Sequence, residues 1–205
     1  MRIINNITNL YVYVFNKLCL YKNRVNCGEN VNIHGRIKYR GKKGNLSIGE
    51  NTTINSGLYD IPIGYPVRCS FWIMGNGSIN IGKSCGISNV SICSMEKVTI
   101  EDHVMLGAGV KIYDTDFHSL DYKIRRNIDT DNDRRSREVL IESDAFVGAG
   151  TTILKGVTIG KRSVVGAGSV VREDVPDDEI WAGNPAVFIK KCKIYNKESK
   201  NDDKK

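Results

Sequence analysis

Three histidines, His34, His103 and His118, are the only side chains of this 205-residue chain that ordinarily titrate close to neutrality. A neutral imidazole can accept the proton of a hydroxyl group and pass it to a departing group, the work of a general acid–base catalyst. Carboxylates lie on either side of His118, at Asp114, Asp116 and Asp121. One of them could hold the imidazole in a single tautomer and stabilise its cation. Asp116 is taken with His118 as the catalytic pair, and Asp114 and Asp121 stay open for the same task. His103 reads as a turn residue, and His34 is assigned no role. The histidines are spaced 69 and 15 residues apart, which is no metal-ligand pattern, and the six cysteines include no C-x-x-C pair. No metal site is expected. The N-terminal apolar stretch is broken by Asn9, Asn16 and Lys17, unlike a signal peptide, so a reduced, cytoplasmic setting is expected.

The element that must position His118 is a repeat. Aliphatic residues recur every six positions at Ile141, Val147, Ile153, Ile159, Val165 and Val171, each followed four places on by a small or β-branched residue. The same beat appears at Ile100, Leu106 and Ile112, at Ile81 and Ile87, at Ile48 and Ile54, and at Val25, Val31 and Ile37, with slips of phase between them. A period of six predicts a short strand, a tight turn and another strand. Three such units make a triangular coil of about 18 residues with an aliphatic of each unit pointing inward, and coils must stack to bury that face. Composition agrees. Ile plus Val number 42 against 9 Leu and 6 Ala, a balance that suits strands and excludes a helical bundle. The span from Val25 to Pro176 has room for about seven to eight coils.

One break in the repeat stands out. From Ile112 to Ile141 is 29 residues where a coil needs 18, so a loop with a surplus of 11 is expected to leave the prism around 117–137. Residues 3–21 place Ile3, Ile7, Leu10, Val14, Leu18 and Tyr21 at helical spacing. This amphipathic helix is expected to cap the open end of the prism. A peripheral membrane association through residues 1–24 is the alternative, helped by Arg2, Lys17, Lys22 and Arg24. The organisation expected is an N-terminal cap over 1–24, the repeat domain over 25–176, and a closing segment with a disordered tail over 177–205. The net charge of +7 suits an anionic ligand, but no interleaving of aromatic and basic residues points to nucleic acid.

The hexapeptide beat, Asp116-Phe117-His118 ahead of the loop, and Trp181-Ala182-Gly183-Asn184-Pro185-Ala186 after the last repeat together resemble the hexapeptide-repeat acyltransferases. Within that family the chain is most similar to the sugar and polysaccharide O-acetyltransferases. The resemblance is strong over 80–191 and weak over 25–79. It implies an all-β fold, a left-handed parallel β-helix with an N-terminal helix and a short C-terminal segment. It also implies a homotrimer with active sites between prisms, acetyl-CoA as donor and no metal. The acceptor would be a sugar hydroxyl of a polysaccharide or its precursor; an amino-sugar nucleotide and a non-catalytic scaffold are the alternatives. By the same resemblance His118 is the base, and Asn89 contacts the acceptor. Ala149 and Ala167 contact coenzyme A, Lys190 binds a phosphate, and Phe146 lies beside the donor or acceptor. The second phosphate-binding cation is replaced by Glu173, and Arg172 is taken in its place. Apart from the resemblance, Ala149 and Ala167 lie 18 residues apart in two Gly-Ala-Gly triplets, a spacing that stacks them at one corner as a wall poor in side chains.

Overall fold

The computed structural model describes residues 2–57, 67–129 and 131–193, with the backbone alone for 2–8. The tail expected to be disordered falls mostly outside these residues, as does the centre of the poorly patterned segment around 55–80. The chain is a left-handed parallel β-helix whose three faces are parallel sheets. The first face stacks Asn26–Cys27, Leu46–Ile48, Ile79–Ile81, Val98–Ile100, Val139–Ile141 and Thr158–Ile159. The second stacks Asn32–His34, Thr53–Asn55, Gly86–Ser88, Met105–Leu106, Phe146–Val147, Val164–Val165 and Glu179–Gly183. The third stacks Lys38–Arg40, Ser70–Ile73, Ser91–Ser94, Lys111–Tyr113, Thr152–Ile153 and Val170–Val171. Among the described residues there are thus six complete coils and the start of a seventh, fewer than the sequence length suggested, because loops consume more of the chain.

The register makes three interior columns. Ile48, Ile81, Ile100, Ile141 and Ile159 run up the first face, Ile54, Ile87, Leu106, Val147 and Val165 up the second, and Phe71, Ile92, Ile112, Ile153 and Val171 up the third. All are buried. Burying one such side chain contributes about 1.5–3 kcal/mol, so the columns dominate the stability of the prism. The slips of phase now have causes. The step from Ile87 to Ile92 is five residues and from Ile92 to Ile100 eight, because the corner at Asn89 is one residue short and the next is longer. In the first coil the residues in register with the columns are Cys27, Ile33 and Tyr39, so Val25, Val31 and Ile37 lie two places earlier, not on the main beat.

The loop differs from the sequence reading. The loop replaces a single step between faces: Ile112 ends on the third face and Ile141 lies on the next first face, a step that needs six residues and takes 29. The excursion therefore runs over 114–138 and adds 23 residues, not 11. The closing segment after Pro176 is a pair of strands. Val175 bridges to Ile159, and Glu179–Gly183 pairs in parallel with Val164–Val165, placing Trp181 in line with Val165. A turn through the cis Asn184–Pro185 bond then returns Ala186–Lys191 antiparallel.

The helix α1 (Arg2–Lys22) lies over the coil of Asn26–Cys27, Asn32–His34 and Lys38–Arg40, the strands at the edges of all three sheets. Asn16 is buried, donates to the Gly35 carbonyl at 2.8 Å and accepts from the Ile37 N–H at 3.3 Å, and Leu20 enters the core. The backbone groups of an exposed sheet edge are thereby partly satisfied and covered.

Candidate active site

The 114–138 excursion leaves from the edge between the third and first faces. Its stem is a short ladder: Thr115 bridges Ser136 antiparallel, the Asp116 N–H donates to the Arg135 carbonyl, and the Arg137 N–H donates to the Asp114 carbonyl. Phe117 holds φ at +64°, and its ring meets Tyr113 edge to face at 5.3 Å. That turn presents His118, whose side chain is half exposed. Its Nδ1 lies 2.6 Å from Oδ2 of Asp131, which is fully buried. The other oxygen of Asp131 accepts the Ser119 N–H at 2.7 Å. The Ser119 amide and the imidazole together hold the Asp131 carboxyl below its ordinary value, so it is ionised at neutral pH. A carboxylate can only accept, so Nδ1 carries the proton, and in the neutral imidazole the lone pair is on Nε2.

Asp131 is not among the acids the sequence reading proposed, and each of those has other work. Asp116 pairs with Lys155 Nζ rather than with His118. Its nomination as His118's partner is therefore corrected: the hairpin stem directs its side chain to the next coil. Asp114 is buried and accepts from the Met95 and Glu96 N–H groups and from Ser94 Oγ, closing a corner of the prism. Asp121 caps the short helix α2 (Tyr122–Arg125) by accepting the Lys123 N–H. Asp131 alternates with Asp129 and Asp133 in a basic stretch, and no spacing rule singles it out.

The donor candidates gather elsewhere. In register, Asn89, Ala108, Ala149 and Ala167 occupy one column on the edge between the second and third faces. Ala108 belongs to a third triplet, Gly107-Ala108-Gly109, hidden in the sequence because the 23 added residues displace it from the 18-residue spacing. The glycines ahead of these alanines admit no side chain: a Cβ at Gly107 would lie 2.6 Å from the Ala149 nitrogen, and one at Gly148 2.5 Å from the Ala167 nitrogen. Ala167 is exposed, Ala149 partly so, and Ala108 buried. Phe146 projects from the second face and is exposed, and Lys190 lies on the last strand of the same sheet, opposite Ile180. The wall thus offers backbone groups, one aromatic ring and one cation on adjoining surfaces. An extended, amide-rich ligand ending in phosphates fits such a surface.

Arg172 departs from this grouping, and Asn89 stands in its column but is buried. Arg172 follows the third face, on the edge that carries the loop, and pairs with Glu173 at 3.2 Å. Asn89 is buried at its shortened corner with φ of +48°, and its side chain bonds both to the N–H and to the carbonyl of Gly57. These contacts tie two coils together. His103 occupies the column of left-handed corners with Asn51, Ser84, Asp144 and Arg162, and His34 is exposed on the first coil, so the three histidines are dispersed.

Residues 138–173 match the bacterial transferase hexapeptide family (six repeats). A protein of Escherichia coli named as a lipopolysaccharide biosynthesis O-acetyl transferase, WbbJ, is 32% identical over 164 residues, covering 77% of this chain and 76% of that one. The galactoside O-acetyltransferase of Lactococcus lactis is 35% identical over 115 residues, 56% of this chain and 52% of the relative. The chain thus spans about half the length of several of the curated relatives it matches. Among solved structures, a hexapeptide-repeat acetyltransferase of Vibrio cholerae complexed with acetyl coenzyme A superposes with a TM-score of 0.56 at 29% identity, over 82% of this chain and 70% of that one.

Proposed function

The chain belongs to the bacterial hexapeptide-repeat transferases, and from that premise we propose that it transfers an acetyl group from acetyl-CoA to a sugar hydroxyl of a cell-surface polysaccharide or its precursor. The observation that carries this reading is the buried Asp131 carboxylate on Nδ1 of a half-exposed His118. Nε2 removes the proton of the acceptor hydroxyl as its oxygen adds to the thioester carbonyl. The carbon–sulfur bond then breaks, and the same nitrogen returns the proton to the departing thiolate. Asp131 stabilises the imidazolium between these two events. The acetyl-CoA bound to the Vibrio neighbour supports the donor, and the names of the relatives support a sugar hydroxyl as acceptor.

His118 and the small-residue wall leave one chain by different edges of the prism. A triangular prism keeps its edges apart, so the base of one copy works against the wall of another, and a cyclic trimer supplies three such clefts. Exposed Met105 and Phe146 on the second face give a neighbouring copy an apolar surface to cover. The test uses two variants, His118→Ala and Ala167→Trp. Each alone is expected to lose transfer at least about 100-fold while keeping its assembly. Refolded together at equal ratio, they are expected to regain about a quarter of wild-type activity, the share of clefts that draw both intact halves by random assortment. Activity retained by His118→Ala removes the base. Absence of recovery in the mixture removes the shared cleft. Offered hydroxyl and amino sugars side by side, the enzyme is expected to form the ester.

A further inference from the structure

The net charge of +7 is not spread over the molecule. Residues 1–49 contain nine Lys and Arg and a single acid, Glu29, a net of +8, whereas residues 50–205 contain 21 and 22, a net of −1. All of the excess therefore belongs to α1 and the first coil, at one end of the prism. The transfer chemistry uses none of these residues. At that end the helix is apolar on both sides. One side packs on the coil through Asn16, Cys19 and Leu20. The opposite side exposes Leu10, Val14 and Leu18 at 63%, 45% and 51%, on one stripe at i, i+4 and i+8, continued by Tyr21. A cap helix facing water would carry charged or polar residues there. The charges flank the stripe instead. Lys17 lies over the ring of Tyr13, and Tyr21, Lys22, Arg24 and Lys43 line a recess where the helix joins the first coil. No acid occurs before Glu29.

We propose that this end of the prism docks on an anionic lipid surface, with Leu10, Val14 and Leu18 entering the interface and Lys17, Lys22, Arg24 and Lys43 meeting lipid phosphates. Apolar side chains at the boundary, tyrosines beside them and long basic side chains reaching the headgroups are the pattern of an interfacial helix. The charge sign selects anionic over zwitterionic lipid. No described helix is long and apolar enough to cross a membrane, so this is attachment by one face. Docked so, the prism stands with its axis away from the surface. His118, in the fourth coil, lies about 14 Å beyond the first at the usual strand spacing.

Docking on lipid is independent of the proposed reaction and is measured without it. The full chain is sedimented with phosphatidylcholine vesicles and with vesicles containing about a third phosphatidylglycerol. Binding to the anionic vesicles alone is expected, weakened at least tenfold by 0.5 M salt. The double variant Val14→Glu/Leu18→Glu alters only exposed positions and is expected to lose that binding at least tenfold, with melting temperature and assembly size unchanged. Equal sedimentation with both vesicles, or with neither, overturns the proposal. So does full retention by the double variant, or equal binding to an oligonucleotide that the variant retains, since either reports charge without an apolar contact. A smaller assembly for the double variant by light scattering also overturns it, because the stripe then belongs to a second copy.

Discussion

Asp131→Asn tests whether the buried carboxylate acts through the imidazole. The substitution keeps shape and volume, and the amide oxygen can still accept the Ser119 N–H at the 2.7 Å now held by Oδ1. The amide NH2 then occupies the position of Oδ2, 2.6 Å from Nδ1, and it can only donate. Nδ1 must give up its proton to accept, the ring proton moves to Nε2, and the nitrogen facing the acceptor can no longer take a proton. If the new amide turned the other way, the Ser119 N–H would lose its acceptor in a buried site, which costs more than the flip gains. The loss should therefore approach that of removing a general base, about 10²–10⁴-fold in kcat. Acetyl transfer is followed by thiol release, with KM for acetyl-CoA measured alongside. The change should fall on kcat, because neither half of the donor wall is touched. Asp116→Asn is the control: it breaks the tie to Lys155 and should cost far less. Retention of activity within threefold by Asp131→Asn, or an equal fall in Asp116→Asn, refutes the reasoning. The acid limb supplies a second readout. The folded carboxyl titrates below its unfolded value of 3.8, so its contribution to loop order is complete above that value and is lost as pH falls through the lower folded value. Circular dichroism in that acid range should show less pH dependence for Asp131→Asn than for wild type.

Two further outcomes follow from burial and stacking. Burial pushes the thiols of Cys69 and Cys93 up to about 11, so neither should react with a thiol reagent at pH 8 until the protein unfolds; Cys192, less enclosed, should label first, as read by mass spectrometry. Gly148→Ala drives a Cβ to 2.5 Å from backbone that cannot step aside, and should cost about 1–3 kcal/mol in denaturant unfolding, more than Gly168→Ala, whose Cβ meets nothing within 4 Å and carries only the strain of φ +71°.

The prism was legible because its signal is periodic. Six aliphatics in one phase from Ile141 to Val171 define three faces, and the parallel register follows once coils stack. Where the period changes, the sequence misled. Val25, Val31 and Ile37 keep a beat of six, yet Cys27, Ile33 and Tyr39 keep the same beat two places on, and only the stacking beneath Ile48, Ile54 and Phe71 decides between them. The coil count and loop length failed together, since both assumed a full coil between Ile112 and Ile141. His118 was findable as the imidazole at the point where the chain leaves the prism. The Gly-Ala-Gly corners at 148–150 and 166–168 were findable by their spacing. The corner at 107–109 was not, because the inserted loop breaks that spacing. Trp181 belongs to a motif legible in the sequence, but its place in register one coil beyond Val165 is a tertiary fact.

The partner of His118 was missed for a reason built into hairpin geometry. A loop that leaves and re-enters a prism edge must close its stem first, and the residues nearest the exit are used for that closure. Asp114 and Asp116 sit in the stem, where their backbones pair with Arg137 and Arg135. Their side chains are committed to the prism itself, one to the 94–96 corner and the other to Lys155. Proximity in sequence thus places them beside His118 but turns their carboxylates away from it. A residue from the returning half, Asp131, meets the imidazole across the loop, and its second oxygen accepts the amide next to His118. The contact closes a 13-residue span, so the same carboxylate that fixes the tautomer also orders the loop that carries His118. In the proposed reaction, loop order and proton transfer are thus coupled through one side chain, which is buried while the imidazole it holds remains half exposed.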